Sequence, residues 1–165
     1  MSTPTGATIS SVERRTLHFS ILDEALADAR ILAAADQAGT LYRAGNWTPG
    51  QIFGHLATWI DYAFDGTPLN IPWVIRIALR PMKNRFLNRP MRPGAKIPRI
   101  KDGTLAMDVL PTDEGFAKLE GAIGRLKVSA PTAPHPVFGK MTHDEWIKMH
   151  LRHAELHLGC LKVGD

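Results

Sequence analysis

Four of the seven histidines fall between positions 143 and 157, at spacings of seven, three and four residues. An α-helix turns about 100° per residue, so with His143 at zero, His150 lies near 340°, His153 near 280° and His157 near 320°. The four imidazoles share an arc of roughly 80°. Trp146 falls inside the arc, and Ile147, Met149, Leu156, Cys160 and Leu161 border it. Asp144, Lys148, Arg152 and Glu155 take the opposite side. The histidines are therefore predicted to occupy the middle of the buried face. One neutral imidazole is readily buried, because it hydrogen-bonds at both nitrogens. Several side by side are costly to bury unless something organises them. A divalent metal does so, neutral imidazole being its commonest side-chain ligand. His153 and His157, four apart, form one candidate pair, and His150 and His153, three apart, form the competing one. The alternative is a hydrogen-bonded core cluster without metal.

A pair on one helix leaves the coordination sphere incomplete, and a catalytic site commonly has three protein ligands and an open position. The inner stripe of the other predicted helices carries one histidine, His55, which makes it the natural third ligand. His18 precedes the first helix and His135 sits in a Pro-rich loop, so neither is well placed. Cys160, one turn past His157, is a fourth ligand, a reactive thiol or a small buried hydrophobe, and the last is the commonest fate of a free cysteine. His150, Cys160, Trp59, Trp146 and Tyr62 are expected to line the pocket around the ligands. Asp61 and Tyr62 are candidates to orient a bound water.

The elements that must position these residues read as helices. "SILDEALADARILAAAD" carries an apolar line from Ile21 to Leu32, with Ser20 and Asp23 as its start signal. "TPGQ" opens a second helix: Thr48 caps, Pro49 suits the first helical position and Gln51 completes a capping box. Its inner side reads Ile52, His55, Leu56, Trp59, Tyr62 and Ala63. "IPWVIRIALRPMKNRFLNRP" predicts a shorter helix kinked at Pro81, followed by a Pro- and Arg-rich loop to about residue 111. A further helix starts at Thr112 or Asp113, with Phe116, Leu119, Ile123 and Leu126 in one stripe. Thr142 and Glu145 form the capping box of the last helix, which is expected to reach Leu161. No segment reads as a strand. The expected fold is all-α, an antiparallel helical bundle with an additional short helix or long loop.

The 165 residues suit a single domain, placed here at 12–165 behind a disordered stretch 1–11. No apolar run approaches the roughly 20 residues that span a bilayer, and the N-terminus has no signal-like apolar region. The single cysteine fits a reducing compartment, so a cytoplasmic, bacterial protein is expected. The net charge of +4 is unevenly spread, for residues 66–101 hold nine of the twenty Lys and Arg and no Asp or Glu. Such a stretch is most simply an amphipathic helix with a solvated basic face. It lacks the aromatic interleaving of single-strand binders, so neither nucleic acid nor membrane is the expected partner. Its arginines are candidates to line the pocket mouth and draw in an anionic molecule. A small-molecule substrate is expected, and a homodimer stays open.

Three stretches, "RRTLHFSILDEALAD", "NWTPGQIFGHLATWIDYAFDG" and "HPVFGKMTHDEWIKMHLRHAELHLGCL", together resemble the DinB/YfiT-like superfamily of metalloenzymes, in the right order and over nearly the whole chain. The resemblance implies a four-helix up-down-down-up bundle and a metal held by His55, His153 and His157. Leu156 stands where similar proteins often have a histidine, and Cys160 where they often have glutamine. The resemblance further implies a divalent metal, zinc or nickel first and iron or manganese next. It points to a thiol-dependent transferase with a low-molecular-weight thiol such as mycothiol or bacillithiol, or to a metal-assisted hydrolase. A non-catalytic bundle that binds a small molecule or a protein partner is the alternative, since a fold does not fix a reaction.

Overall fold

The computed structural model of the chain describes residues 13–94, 103–106 and 108–164. The stretch expected to be disordered, 1–11, lies outside them. The fold is mostly helical with one small sheet. In chain order the elements are α1 (Leu22–Gln37), β1 (Leu41–Arg43), α2 (Pro49–Asp65), α3 (Trp73–Leu79), a 3-10 turn (Arg80–Met82), α4 (Lys83–Asn88), α5 (Thr112–Val128), α6 (His143–Leu158) and β2 (Leu161–Val163). The four long helices, α1, α2, α5 and α6, close around one apolar core that includes Leu32, Phe53, Ile60, Ile123, Leu126 and Leu158.

The helix starts follow local chemistry. Thr48 Oγ1 accepts the Gln51 N–H at 3.2 Å while Gln51 Oε1 accepts the Thr48 N–H at 2.9 Å. Thr142 and Glu145 repeat the same reciprocal pair at the start of α6. Each satisfies two N–H groups that the helix cannot. At α1 the expected signal shifts by one residue. Glu24 Oε2 accepts the Ser20 N–H at 2.6 Å, and Asp23 instead pairs with Lys127 on α5 at 2.6 Å. The kink expected at Pro81 is the 3-10 turn between α3 and α4. Proline has no N–H to continue an α-helical ladder. α3 buries none of its residues, and Trp73, Val74 and Ile77 are exposed.

Three features depart from the sequence expectation. First, α6 ends at Leu158 rather than Leu161, and the chain turns into β2. Second, β2 pairs antiparallel with β1, Tyr42 opposite Lys162, although no strand is expected from the sequence. Three-residue strands are too short to show an alternating pattern. Third, Arg152 and Glu155, assigned to the side of α6 away from the core, are both 6 % exposed. The segment before α1 covers them. Arg152 Nη2 donates to the Phe19 carbonyl at 2.6 Å, Glu155 Oε1 accepts the Phe19 N–H at 2.6 Å, and the two side chains pair at 2.6 Å. The ion pair and the backbone contacts offset the cost of burying the two charges, although Arg152 Nε and Glu155 Oε2 are buried without a hydrogen-bond partner.

α2 is held against α5 by a close backbone contact. A Cβ on Gly115 would lie 2.4 Å from the Gly50 carbonyl oxygen, and one on Gly50 would lie 2.1 Å from the Leu110 carbonyl oxygen. This crossing sets the depth of α2, and so the position of His55 one turn further on. Gly121, on the same helix α5, faces open space. Gly115→Ala is therefore expected to lower the melting temperature by roughly 3–10 °C. Gly121→Ala is expected to raise it by about 1–4 °C through helix propensity alone. Thermal melts of the two variants check this, and equal effects would remove the crossing as the constraint on α2.

Candidate metal centre

The register of α2 puts His55 on its core side, and α6 presents His153 and His157 one turn apart on the facing side. Each of these three offers a ring nitrogen, and the three atoms lie within 4.8 Å of one another. Among the described residues no other group of histidine, cysteine and carboxylate ligands gathers in this way. The ring centroids stand 4.6–5.0 Å apart, edge to face.

The tautomer of His55 follows from its neighbours. Its Nδ1 lies 3.0 Å from the Leu105 carbonyl and 3.3 Å from that of Ala106, so Nδ1 carries the proton. Nε2 then bears a lone pair, and it faces His153 Nε2 at 3.1 Å. Two nitrogens at that distance need a proton or a cation between them, since facing lone pairs repel. Trp47 stacks on His157 with centroids 5.3 Å apart and planes within 6°, and its edge meets His55. Trp59 packs edgewise on His55 and His153.

All three imidazoles are neutral at neutral pH. Burial pulls the His55 pKa down to about 4, against the two carbonyls that favour its charged form. Burial, then the neighbouring His55 and Arg14, pulls His157 to about 3. His153 is held well below the usual imidazole value by burial first and then by His157, His55 and His150. Three neutral nitrogen donors with no carboxylate or thiolate fit a borderline ion such as zinc or nickel.

Two cavities adjoin at His153, the one member of the triad that lines both. The polar one, about 430 Å³, exposes His55, His153 and His157 beside Arg14, Asn46 and Cys160. The apolar one, about 370 Å³, is reached across Trp59, Met91 and His153, which line both.

The remaining site residues distribute around this pair of cavities. His150 is outside the triad, buried, and stacked on Trp146 at 5.6 Å. Both line the apolar cavity, as does Tyr62, whose ring meets Trp59. Cys160 is not among the gathered ligands. Arg14 donates to its sulfur, yet burial outweighs the guanidinium and pushes the thiol pKa up. Asp61 turns away toward Arg125 at 3.5 Å and orients nothing at the site. His143 donates from Nε2 to the Leu126 carbonyl at 2.6 Å, His135 Nδ1 accepts the N–H groups of Val137 and Phe138, and His18 sits beside Glu155. The described arginines of the basic segment line neither cavity, and its end at 95–101 lies outside the described residues. Arg14 stands at the polar mouth instead. Sequence reasoning missed Arg14, Trp47, Leu105 and Ala106. Trp47 had a signal, because an apolar residue just before a helix cap commonly packs back onto the helix. Backbone carbonyls have none.

The family model described as protein of unknown function, DUF1569, matches residues 11–163. The chain belongs to this family. The description assigns the family no activity, so the chemistry has to be read from the site itself. No curated protein and no solved structure matches the chain. No described helix is long and apolar enough to cross a membrane.

Five imidazoles, those of His55, His135, His150, His153 and His157, have lowered pKa values with burial as the leading cause. Each is neutral when folded and takes up a proton near pH 6.5 when unfolded. Between that pH and about 4 the unfolded chain binds more protons, so stability falls as pH falls through this window. Each such histidine adds a slope of about 1.4 kcal/mol per pH unit. Urea unfolding of metal-free protein at pH 7 and pH 5 is expected to show this loss, and His150→Phe is expected to flatten it. Equal stability at the two pH values would mean that these rings are not shielded.

Proposed function

We propose that this chain is a metal-dependent enzyme of the DinB/YfiT-like type. In this reading α1, α2, α5 and α6 form its up-down-down-up four-helix bundle, and His55, His153 and His157 hold one divalent ion, zinc or nickel before iron or manganese. The observation that carries the reading is the convergence of three neutral ring nitrogens within 4.8 Å at the junction of two cavities. A bound ion with three neutral ligands keeps its full charge and supplies Lewis-acid polarisation to a substrate oxygen or sulfur atom.

The chain's own residues do the rest. The Leu105 and Ala106 carbonyls fix the His55 tautomer and aim its Nε2 lone pair inward. The stack of Trp47 on His157 restricts rotation of that ring. Arg14 lends positive charge to the polar cavity, which suits an anionic co-substrate. A metal-assisted hydrolase is compatible with this arrangement, and a transferase using a low-molecular-weight thiol is the reading that the family resemblance adds. The raised pKa of Cys160 argues against that residue as the nucleophile. One observation favours a second reading, a non-catalytic bundle that binds a small molecule or a partner. The 3.1 Å His55–His153 contact closes as an ordinary hydrogen bond once one Nε2 carries a proton.

Metal analysis separates the two. Protein purified without a nickel column is expected to carry roughly one divalent ion per chain. His153→Ala is expected to weaken zinc binding by more than about 100-fold, beyond the range of changes outside the ligand set, and His150→Ala by no more than roughly tenfold. Saturating zinc is expected to add roughly 3–4 kcal/mol of stability at a few hundred times its Kd. Chelator should leave the chain helical, because a core of this size folds without an ion. Equal melting temperatures with and without zinc would favour the second reading.

A further inference from the structure

The apolar cavity differs from the polar one in what it lacks. None of the described residues around its roughly 370 Å³ is Asp, Glu, Lys or Arg. Its wall is built from Trp59, Phe86, Phe138, Trp146 and Met149, with the half-exposed Leu69, Ile71 and Val137. The two histidines that line it without joining the triad, His135 and His150, are held neutral by burial. Ring nitrogens of Trp59, Trp146 and His150 are buried in the same wall without a hydrogen-bond partner. A charged molecule entering this space would give up part of its hydration and meet no charged side chain among the described residues of the wall, at a net cost. A hydrocarbon group would instead gain from leaving water, at about 25 cal/mol for each Å² buried.

We propose that this cavity binds the uncharged, largely hydrocarbon body of the substrate, aromatic or branched-aliphatic. The shared wall of Trp59, Met91 and His153 brings its reactive end to the histidine triad. The role of substrate rests on the metal-centre reading. Selectivity for uncharged hydrocarbon does not, because it follows from the wall alone. The two cavities thereby divide their ligands by charge.

The test uses two fluorescent probes of matched size, pyrenemethanol and pyrenecarboxylate, titrated into metal-free and zinc-loaded full-length protein. Pyrenemethanol is expected to bind at one site, at least roughly tenfold tighter than pyrenecarboxylate, a difference of about 1.4 kcal/mol. Two variants place the probe. Val137→Trp fills the cavity from its loop side, and Ile71→Asp puts a charge in its wall. Neither touches the three histidines. Each is expected to weaken pyrenemethanol binding by at least about tenfold while leaving zinc affinity unchanged. Circular dichroism and a melt of each variant confirm that it folds, and either one that folds suffices. Tighter binding of pyrenecarboxylate, or wild-type binding of pyrenemethanol by a folded variant, would overturn the proposal. Absence of zinc binding with pyrenemethanol still lost in the variants would overturn the metal-centre reading and leave the ligand class standing. Zinc binding with pyrenemethanol unaffected by both variants would do the reverse.

Discussion

Three imidazoles meet where α2 faces α6, His55 buried and His153 and His157 half-buried, and the molecule is organised around pairing their ring nitrogens. Unsatisfied polar atoms in such a place each cost on the order of 1–3 kcal/mol. One nitrogen of His55 is satisfied by the Leu105 and Ala106 carbonyls, and Ala106 takes a positive φ of 59° in doing so. A non-glycine residue rarely adopts this conformation, and its strain is tolerated where the surroundings hold it. The nitrogens that face one another across α2 and α6 are satisfied together, by a shared proton or a shared cation. Burial of all three rings removes their own charge at neutral pH and leaves a neutral donor set.

That convergence depends on fixing the end of α6. The last turn of a helix leaves carbonyls without partners and carries partial negative charge. Arg15 meets both needs. It donates to the Leu158 carbonyl at 3.1 Å and the Leu161 carbonyl at 2.6 Å, and its guanidinium is held in a two-pronged pair by Asp28 of α1 at 2.7 and 2.8 Å. Its backbone N–H also donates to the Gly159 carbonyl at 2.8 Å, so close that a Cβ on Gly159 would meet the Arg15 oxygen at 2.8 Å. The β1–β2 ribbon adds a second tie, extended by the Ala44 N–H to the Cys160 carbonyl at 2.7 Å. Through the ribbon the chain leads directly to Trp47, which stacks on His157. A small sheet of little area thus positions one wall of the site.

What the sequence discloses divides along the same lines. The long helices and the histidine arc are legible because helical periodicity and capping boxes are local and repeat over four turns. His55 is legible once geometry demands a third ligand from another helix. The ribbon is not, because its pairing joins residues about 120 positions apart through strands of three residues. The burial of Arg152 and Glu155 is hidden for a related reason. Charge usually marks a solvated face, and here the backbone of Phe19 crosses that face and pairs with Arg152 Nη2 and Glu155 Oε1. The Gly50–Gly115 contact leaves only two unremarkable glycines in the sequence, since the close approach is a property of the pair. Arg14 is hidden because it precedes every helix and reaches the site through the fold of the N-terminal segment.

The triad therefore stands on a boundary between two environments. On one side Arg14 and the groups around Asn46 make a polar mouth, and on the other the wall has no charge among its described residues. The effective dielectric falls across His153, which lines both spaces, so electrostatic interactions strengthen toward the apolar side. A charge developing at the triad would be least hydrated where the hydrocarbon wall begins and best neutralised where Arg14 lies. Under the proposed function, this arrangement would favour negative charge forming toward the polar mouth while an uncharged body stays behind it. In that reading, dipoles fixed as those of Leu105 and Ala106 are would act without reorganisation, and the rigid ties at the end of α6 would then bear on chemistry as well as on stability.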